Sequence, residues 1–169
     1  MNDDRTAGGS SDVEREAMRR RAEELRAEGR GGAKKADLLQ ACLDTIAGLP
    51  EPDRGLAERV HAVVVHEAPH LLVKTWYGFP AYADGKDVVV FFQQASRFGS
   101  RYSTLGFNDT ARLDDGDIWP TSYALIGWSD DVKARVVDLV RRATGATVEA
   151  SAERMRERWS GVLQRLEDE

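Results

Sequence analysis

Twelve of the thirteen aromatic residues lie between Trp76 and Trp128, and basic side chains stand among them. Lys74 precedes Trp76-Tyr77, Arg101 precedes Tyr102, and Arg97 lies between the two groups. A Lys or Arg beside aromatic rings can hold a small anion or stack on a ring face. Lys74, Trp76, Tyr77, Tyr82, Arg101 and Trp119 are therefore the candidate ligand-binding residues, expected to converge on one concave surface. The competing use of the same cations is internal, as ion pairs from a sheet face to Asp114 or Asp115.

A second group is acidic. Asp109, Asp114, Asp115 and Asp117 are the densest carboxylates in the chain. Carboxylates suit hard cations such as Mg²⁺, Ca²⁺ or Fe²⁺, so Asp114, Asp115 and Asp117 are the candidate metal ligands. Their spacing is not that of an EF-hand loop, and a solvated turn with one Asp capping backbone amides uses the same residues. The three histidines are poorly placed for zinc: His61 and His66 do not share a helix face, and Pro69 interrupts the His66–His70 spacing. The single cysteine, Cys42, falls on an apolar stripe and reads as core. No serine stands in a G-x-S-x-G setting, and no glycine-rich phosphate loop occurs. These absences lean against an enzyme and toward non-catalytic binding.

The elements that must carry these residues are legible from pattern. Residues 12–28 hold ten Glu and Arg with a thin apolar stripe, a helix expected to be solvated or loosely docked. GRGG at 29–32 breaks it. Leu39, Cys42, Leu43 and Ile46 place a helix at 34–48, and Leu56, Val60, Val63 and Val64 another to about Glu67. From 71 to 128 the period changes to two, with expected strands at 71–77, 81–83, 88–93, 101–107 and 123–128. Asp84-Gly85 is the hairpin signal between the second and third. VVVFF is apolar at successive positions, as a central strand covered on both faces would be. Asn108 to Gly116 reads as a turn-rich connection.

Ser129 is an N-cap for a helix ending near Gly145. Val148, Ala152, Met155, Trp159, Val162 and Leu166 then repeat as an a/d seam. That seam either docks on the domain or joins two copies of the chain. The order helices, strands, helices predicts an α+β sandwich with an antiparallel sheet. Its divisions are a disordered tail and charged helix over 1–33, the α+β domain over 34–145, and an amphipathic C-terminal helix over 146–169.

Composition bounds the partners. The net charge is −5 and no segment is basic, which excludes the electrostatic footprint of a nucleic-acid binder. No apolar run approaches the ~20 residues of a membrane span, and MNDDRTAGGSSD lacks the hydrophobic region of a signal peptide. A cytoplasmic location is expected, with one cysteine compatible with a reducing compartment.

At KTWYGFPAY (74–82), FFQQASRFGSRYSTLGFND (91–109) and LDDGDIWPTSYAL (113–125) the chain resembles the YdhG-like family of small bacterial domains. The likeness runs from about Glu51 to Ala143. It implies an antiparallel sheet flanked by helices, comparable with frataxin. Some family members are described as intracellular iron chaperones serving iron–sulfur cluster assembly, so iron is the cofactor or cargo the resemblance brings in. A frataxin-like acidic ridge would fall on the helix carrying Glu51, Asp53, Glu58 and Glu67, where Arg54 and Arg59 are interleaved. The expected function is thus a binding domain for a metal ion or a small anionic molecule. The alternatives are an enzyme acting on a small polar substrate through Tyr77, Tyr82, Arg101 and Asp114 or Asp115, and an interaction module using the C-terminal helix.

Overall fold

A computed structural model describes residues 7–29, 35–146, 153 and 156. The elements are α1 (Ala7–Gly29), α2 (Lys35–Ala47), α3 (Asp53–Glu67), β1 (Leu72–Trp76), β2 (Phe79–Asp84), β3 (Asp87–Gln93), α4 (Ala95–Phe98), β4 (Ser103–Phe107), β5 (Ser122–Leu125) and α5 (Asp130–Thr144). The five strands form one antiparallel meander in the order β1-β2-β3-β4-β5. The chain is α+β, and VVVFF lies in the central strand β3.

Directly paired residues share a face of a sheet, and alternate residues along a strand do not. The registers Val73↔Tyr82↔Val90↔Phe107 and Phe92↔Leu105↔Tyr123 therefore define one face. On it packs the main core: Val60 and Val64 of α3, Leu139 and Val140 of α5, and Cys42 and Ile46 of α2. Ser129 begins α5 as expected, its Oγ accepting the Val132 amide at 3.2 Å. Gly145 ends it with φ 65°, and the Ala146 amide returns to the Arg141 carbonyl at 2.9 Å.

The second face carries Lys74↔Ala81↔Phe91↔Gly106 and Trp76↔Phe79. Here a smaller cluster of Ala81, Ala83 and Val88 is packed by Leu72, Trp76 and Phe91. Phe91 lies over Gly106, where a Cβ would stand 2.1 Å from its Cζ. A glycine at that register is what lets the ring lie flat on the sheet.

Several expectations shift. The charged helix begins at Ala7, inside the stretch expected to be tail, and it is docked on β1 rather than loosely held. The second hairpin closes one residue later than Asp84-Gly85: Asp84 pairs with Asp87, and Gly85-Lys86 form the turn. The expected strand over 71–77 ends at Trp76, because Tyr77 and Gly78 are a turn. The short helix α4 has no counterpart in the sequence pattern. All six residues of the C-terminal seam lie outside the described residues; of that segment only Glu153 and Arg156 are described, both helical. No helix among the described residues is long and apolar enough to cross a membrane.

Candidate functional site

The candidate site is built on the two-residue connection between β1 and β2. Trp76 pairs with Phe79, so Tyr77 and Gly78 alone turn the chain. Both have positive φ, 53° and 78°, the pattern of a type I′ hairpin turn. Glycine accepts this readily and tyrosine does not, so neighbouring groups must hold Tyr77 there.

Those neighbours come from α1 and α4. The Tyr77 and Gly78 amides donate to the two oxygens of Glu24 at 3.1 and 3.0 Å. The Tyr77 carbonyl accepts from Arg97 Nη1 at 2.6 Å. Arg21 lies over the Tyr77 ring, 5.9 Å from its centroid. One turn of α1 further on, Glu28 accepts from Lys74 Nζ. Lys74 is 6% exposed, a buried ammonium on the second face whose carboxylate partner is supplied by α1.

Arg97 and Gln94 are incompletely satisfied. Arg97 Nη2 and Gln94 Oε1 are buried and have no hydrogen-bond partner among the described residues. Gln94 Nε2 faces the Gly78 carbonyl at 3.5 Å, which fixes the amide orientation and leaves the oxygen over. Both residues line a cleft of about 460 Å³ that also touches Glu16, Arg20, Asp44 and Ser96, where α1, α2 and the start of α4 meet. Burial lowers the Arg97 guanidinium's pKa and the Arg20 charge adds to this, while Glu16 and Glu24 oppose both. Gly78 completes the wall: a Cβ there would stand 2.3 Å from Arg97 Nη1.

Asp53 positions α4. Its carboxylate accepts the Ser96 amide at 2.9 Å and the Ser103 hydroxyl at 2.8 Å. The Ser103 hydroxyl in turn accepts the Ala95 amide at 3.2 Å. Burial alone would raise the Asp53 pKa. The hydrogen bonds from Ser96, Ser103 and Ala95 outweigh it and leave the carboxyl below its ordinary value.

Of the six residues expected to form one aromatic surface, Lys74, Trp76 and Tyr77 come together here, the two rings meeting edge-to-face at 4.9 Å. The other three do not join them. Tyr82 is fully buried on the opposite face, its hydroxyl 3.2 Å from His61 Nδ1, because it is in register with Val73. Arg101 is exposed over its neighbour Tyr102. Trp119 packs at the edge of the main core and lines a separate open hollow of about 610 Å³ beside Asp114 and Asp117. The shared concave surface is not present, since strand alternation sends Trp76 and Tyr82 to opposite sides. The internal pairing expected for Lys74 exists, but with Glu28 of α1 rather than with Asp114 or Asp115.

The carboxylates Asp114, Asp115 and Asp117 are exposed. Among the described residues no group of three or more His, Cys, Asp or Glu side chains is placed to hold a metal ion. On the helix of the implied acidic ridge, Asp53 is buried beneath α4, Glu51 pairs with Arg54, and Glu67 pairs with Arg141 at 2.7 Å. Cys42 is fully buried and burial pushes its thiol up to about 12, which keeps it protonated at neutral pH. A further groove of about 390 Å³ lies between α3 and α5, beside His66, Trp128 and Lys133.

Sequence reasoning missed Glu24, Glu28, Gln94 and the role of Arg97. The available signals were the Tyr-Gly pair directly after an aromatic strand and the i, i+4 spacing of Glu24 and Glu28 on a helix with almost no apolar stripe. No family model, no curated protein and no solved structure matches the chain.

Proposed function

We propose that this chain is a non-catalytic binding domain of the YdhG-like type that takes a small anionic molecule at the β1–β2 turn. The observation that carries the proposal is the donor set gathered there. Lys74 and the Tyr77 and Gly78 amides face carboxylates of α1 at the β1–β2 end of the sheet, and Gly78 and the half-satisfied Arg97 line a cleft of about 460 Å³ there. Donors fixed by backbone and buried side chains bind anions well because little reorganisation is needed. Buried polar atoms normally find partners, so Arg97 Nη2 is a donor still in want of an acceptor. Three of these residues, Lys74, Tyr77 and Gly78, lie inside KTWYGFPAY, one of the three segments that carry the family resemblance, and the antiparallel meander with helices packed on it agrees with that resemblance in coarse architecture.

Nothing comparable favours iron. The carboxylates named for it are either tied to Arg54, Arg141 and the Ser96–Ser103 pair or stand apart in solvent.

Calorimetric titration of the full chain with acetate, glutarate and phosphate tests the reading. At least one should bind saturably, and Arg97→Leu should weaken it tenfold or more, with Arg97→Lys in between. Binding indifferent to Arg97, or no binding of any of the three, would defeat the proposal.

A further inference from the structure

The donors at the β1–β2 turn are already engaged, and what engages them is informative. Two carboxylates four residues apart on α1 do so: Glu24 on the turn amides and Glu28 on Lys74. On a helix, i and i+4 side chains rise from the same face with Cβ atoms about 5–6 Å apart. Together they present the turn with a compact pair of negative charges.

The helix that brings them has little other reason to be there. Met18 and Leu25, two of its larger apolar side chains, are 71% and 51% exposed. Val13, Ala17 and Ala22 are half-buried, and among the described residues the hydrogen bonds, ion pairs and ring contacts from this helix to β1 and its turn are the two Glu24 bonds, the Glu28–Lys74 pair and Arg21 over Tyr77. Arg21 also supports both carboxylates from within the helix, at 3.4 Å from Glu24 and 3.7 Å from Glu28. An element held largely by ion pairs and turn amides, with no fully buried apolar side chain among its described residues, can be exchanged for a ligand offering the same charges.

We infer that the turn amides of Tyr77 and Gly78, with Lys74, form a receptor for a compact dicarboxylate, and that Glu24 and Glu28 occupy it in cis when no ligand is bound. This inference rests on the anion-binding reading above and adds the ligand class and its internal competitor. One ligand carboxylate takes the two turn amides. The other takes the Lys74 ammonium. Arg97 keeps the turn in its left-handed conformation through the Tyr77 carbonyl and lends Nη2 to the cleft side of the ligand. No bond is made or broken, and α1 moves aside as the ligand enters.

The test is calorimetry on the full chain with glutarate as probe and butyrate as the monocarboxylate control, at low salt. Glu24→Ala should tighten glutarate binding at least tenfold over wild type, and tighten butyrate by less. Glu24→Gln, which keeps the hydrogen-bond acceptor and loses the charge, should fall between. Lys74→Met in the Glu24→Ala background should remove the preference for glutarate over butyrate. Circular dichroism of each variant reports whether the domain is intact, and a Glu24→Ala that does not fold leaves Glu24→Gln to decide. Wild type and Glu24 variants binding glutarate equally would overturn the internal competitor while leaving the anion site standing. No binding by any variant would overturn both.

Discussion

Replacing Asp53 by alanine should destabilise the domain by about 2–3 kcal/mol, with an effect that depends on pH. The carboxylate receives two hydrogen bonds, from the Ser96 amide at 2.9 Å and the Ser103 hydroxyl at 2.8 Å. Bonds to a charged acceptor contribute roughly 1.5–3 kcal/mol each, and a buried donor left without a partner costs about as much. Ser96 is exposed, so its amide regains water and little of that bond is lost. Ser103 is 2% exposed, so water does not replace the acceptor its hydroxyl loses. Most of the loss therefore comes from one buried bond and the slackening of α4. For a chain of this size each kcal/mol moves the melting temperature by about 2–4 °C, so the expected drop is about 4–12 °C.

The pH dependence has a definite sign. The folded Asp53 pKa lies below its ordinary 3.8. Its stabilisation is complete above the unfolded value and is lost as pH falls through the folded one. Asp53→Asn, which cannot titrate, should be less stable than wild type at pH 7, and the gap should narrow on acidification below about pH 4. Thermal melts of the three proteins from pH 7 to pH 3 decide this. A loss under about 1 kcal/mol for Asp53→Ala at pH 7, or a wild-type-to-Asn gap that stays constant to pH 3, would refute the reasoning.

Three further outcomes follow from the same geometry. Gly106→Ala drives a methyl group to 2.1 Å from Phe91 Cζ, so denaturant melts should show a loss of about 1–3 kcal/mol, and Phe91→Leu in that background should recover part of it. The buried Cys42 thiol, pushed up to about 12, should react with a thiol reagent at pH 8 only as the chain unfolds; labelling of the folded protein at the rate of a free thiol would contradict the burial. Raising the salt from 0.05 to 1 M should loosen α1 while the main core holds, seen as faster amide exchange at Tyr77 and Gly78 with unchanged exchange at Val90 and Phe92.

The fold was legible where local physics decides it. The spacing of Leu56, Val60, Val63 and Val64 made a helix because one face must be buried, and Ser129 and Gly145 bounded α5 through caps that need no distant partner. VVVFF announced a central strand for the same reason. The site was legible only in part, because its decisive contacts are remote in sequence: Glu24 reaches Tyr77 across 53 positions and Gly78 across 54. A charged helix with a thin apolar stripe reads locally as solvated, although its carboxylates are anchored. Tyr77 at positive φ runs against the preference of its residue type, so a strand through it was the natural reading. The aromatic residues clustered in sequence divide between the two faces of the sheet: Trp76, Tyr77, Phe79, Phe91 and Phe98 meet ring to ring, while Tyr82 lies on the opposite face because its register with Val73 puts it there. The acidic run at Asp114, Asp115 and Asp117 is dense in sequence, and its side chains remain in solvent.

The central claim is that a small anion binds the β1–β2 turn in place of α1's carboxylates. Two-dimensional amide NMR of the full chain, titrated with glutarate, tests it most directly. The account predicts that the Tyr77 and Gly78 amides shift most, as the hydrogen bonds they give to Glu24 pass to the ligand. Largest shifts around Trp119 or Trp128, with Tyr77 and Gly78 unmoved, would contradict it.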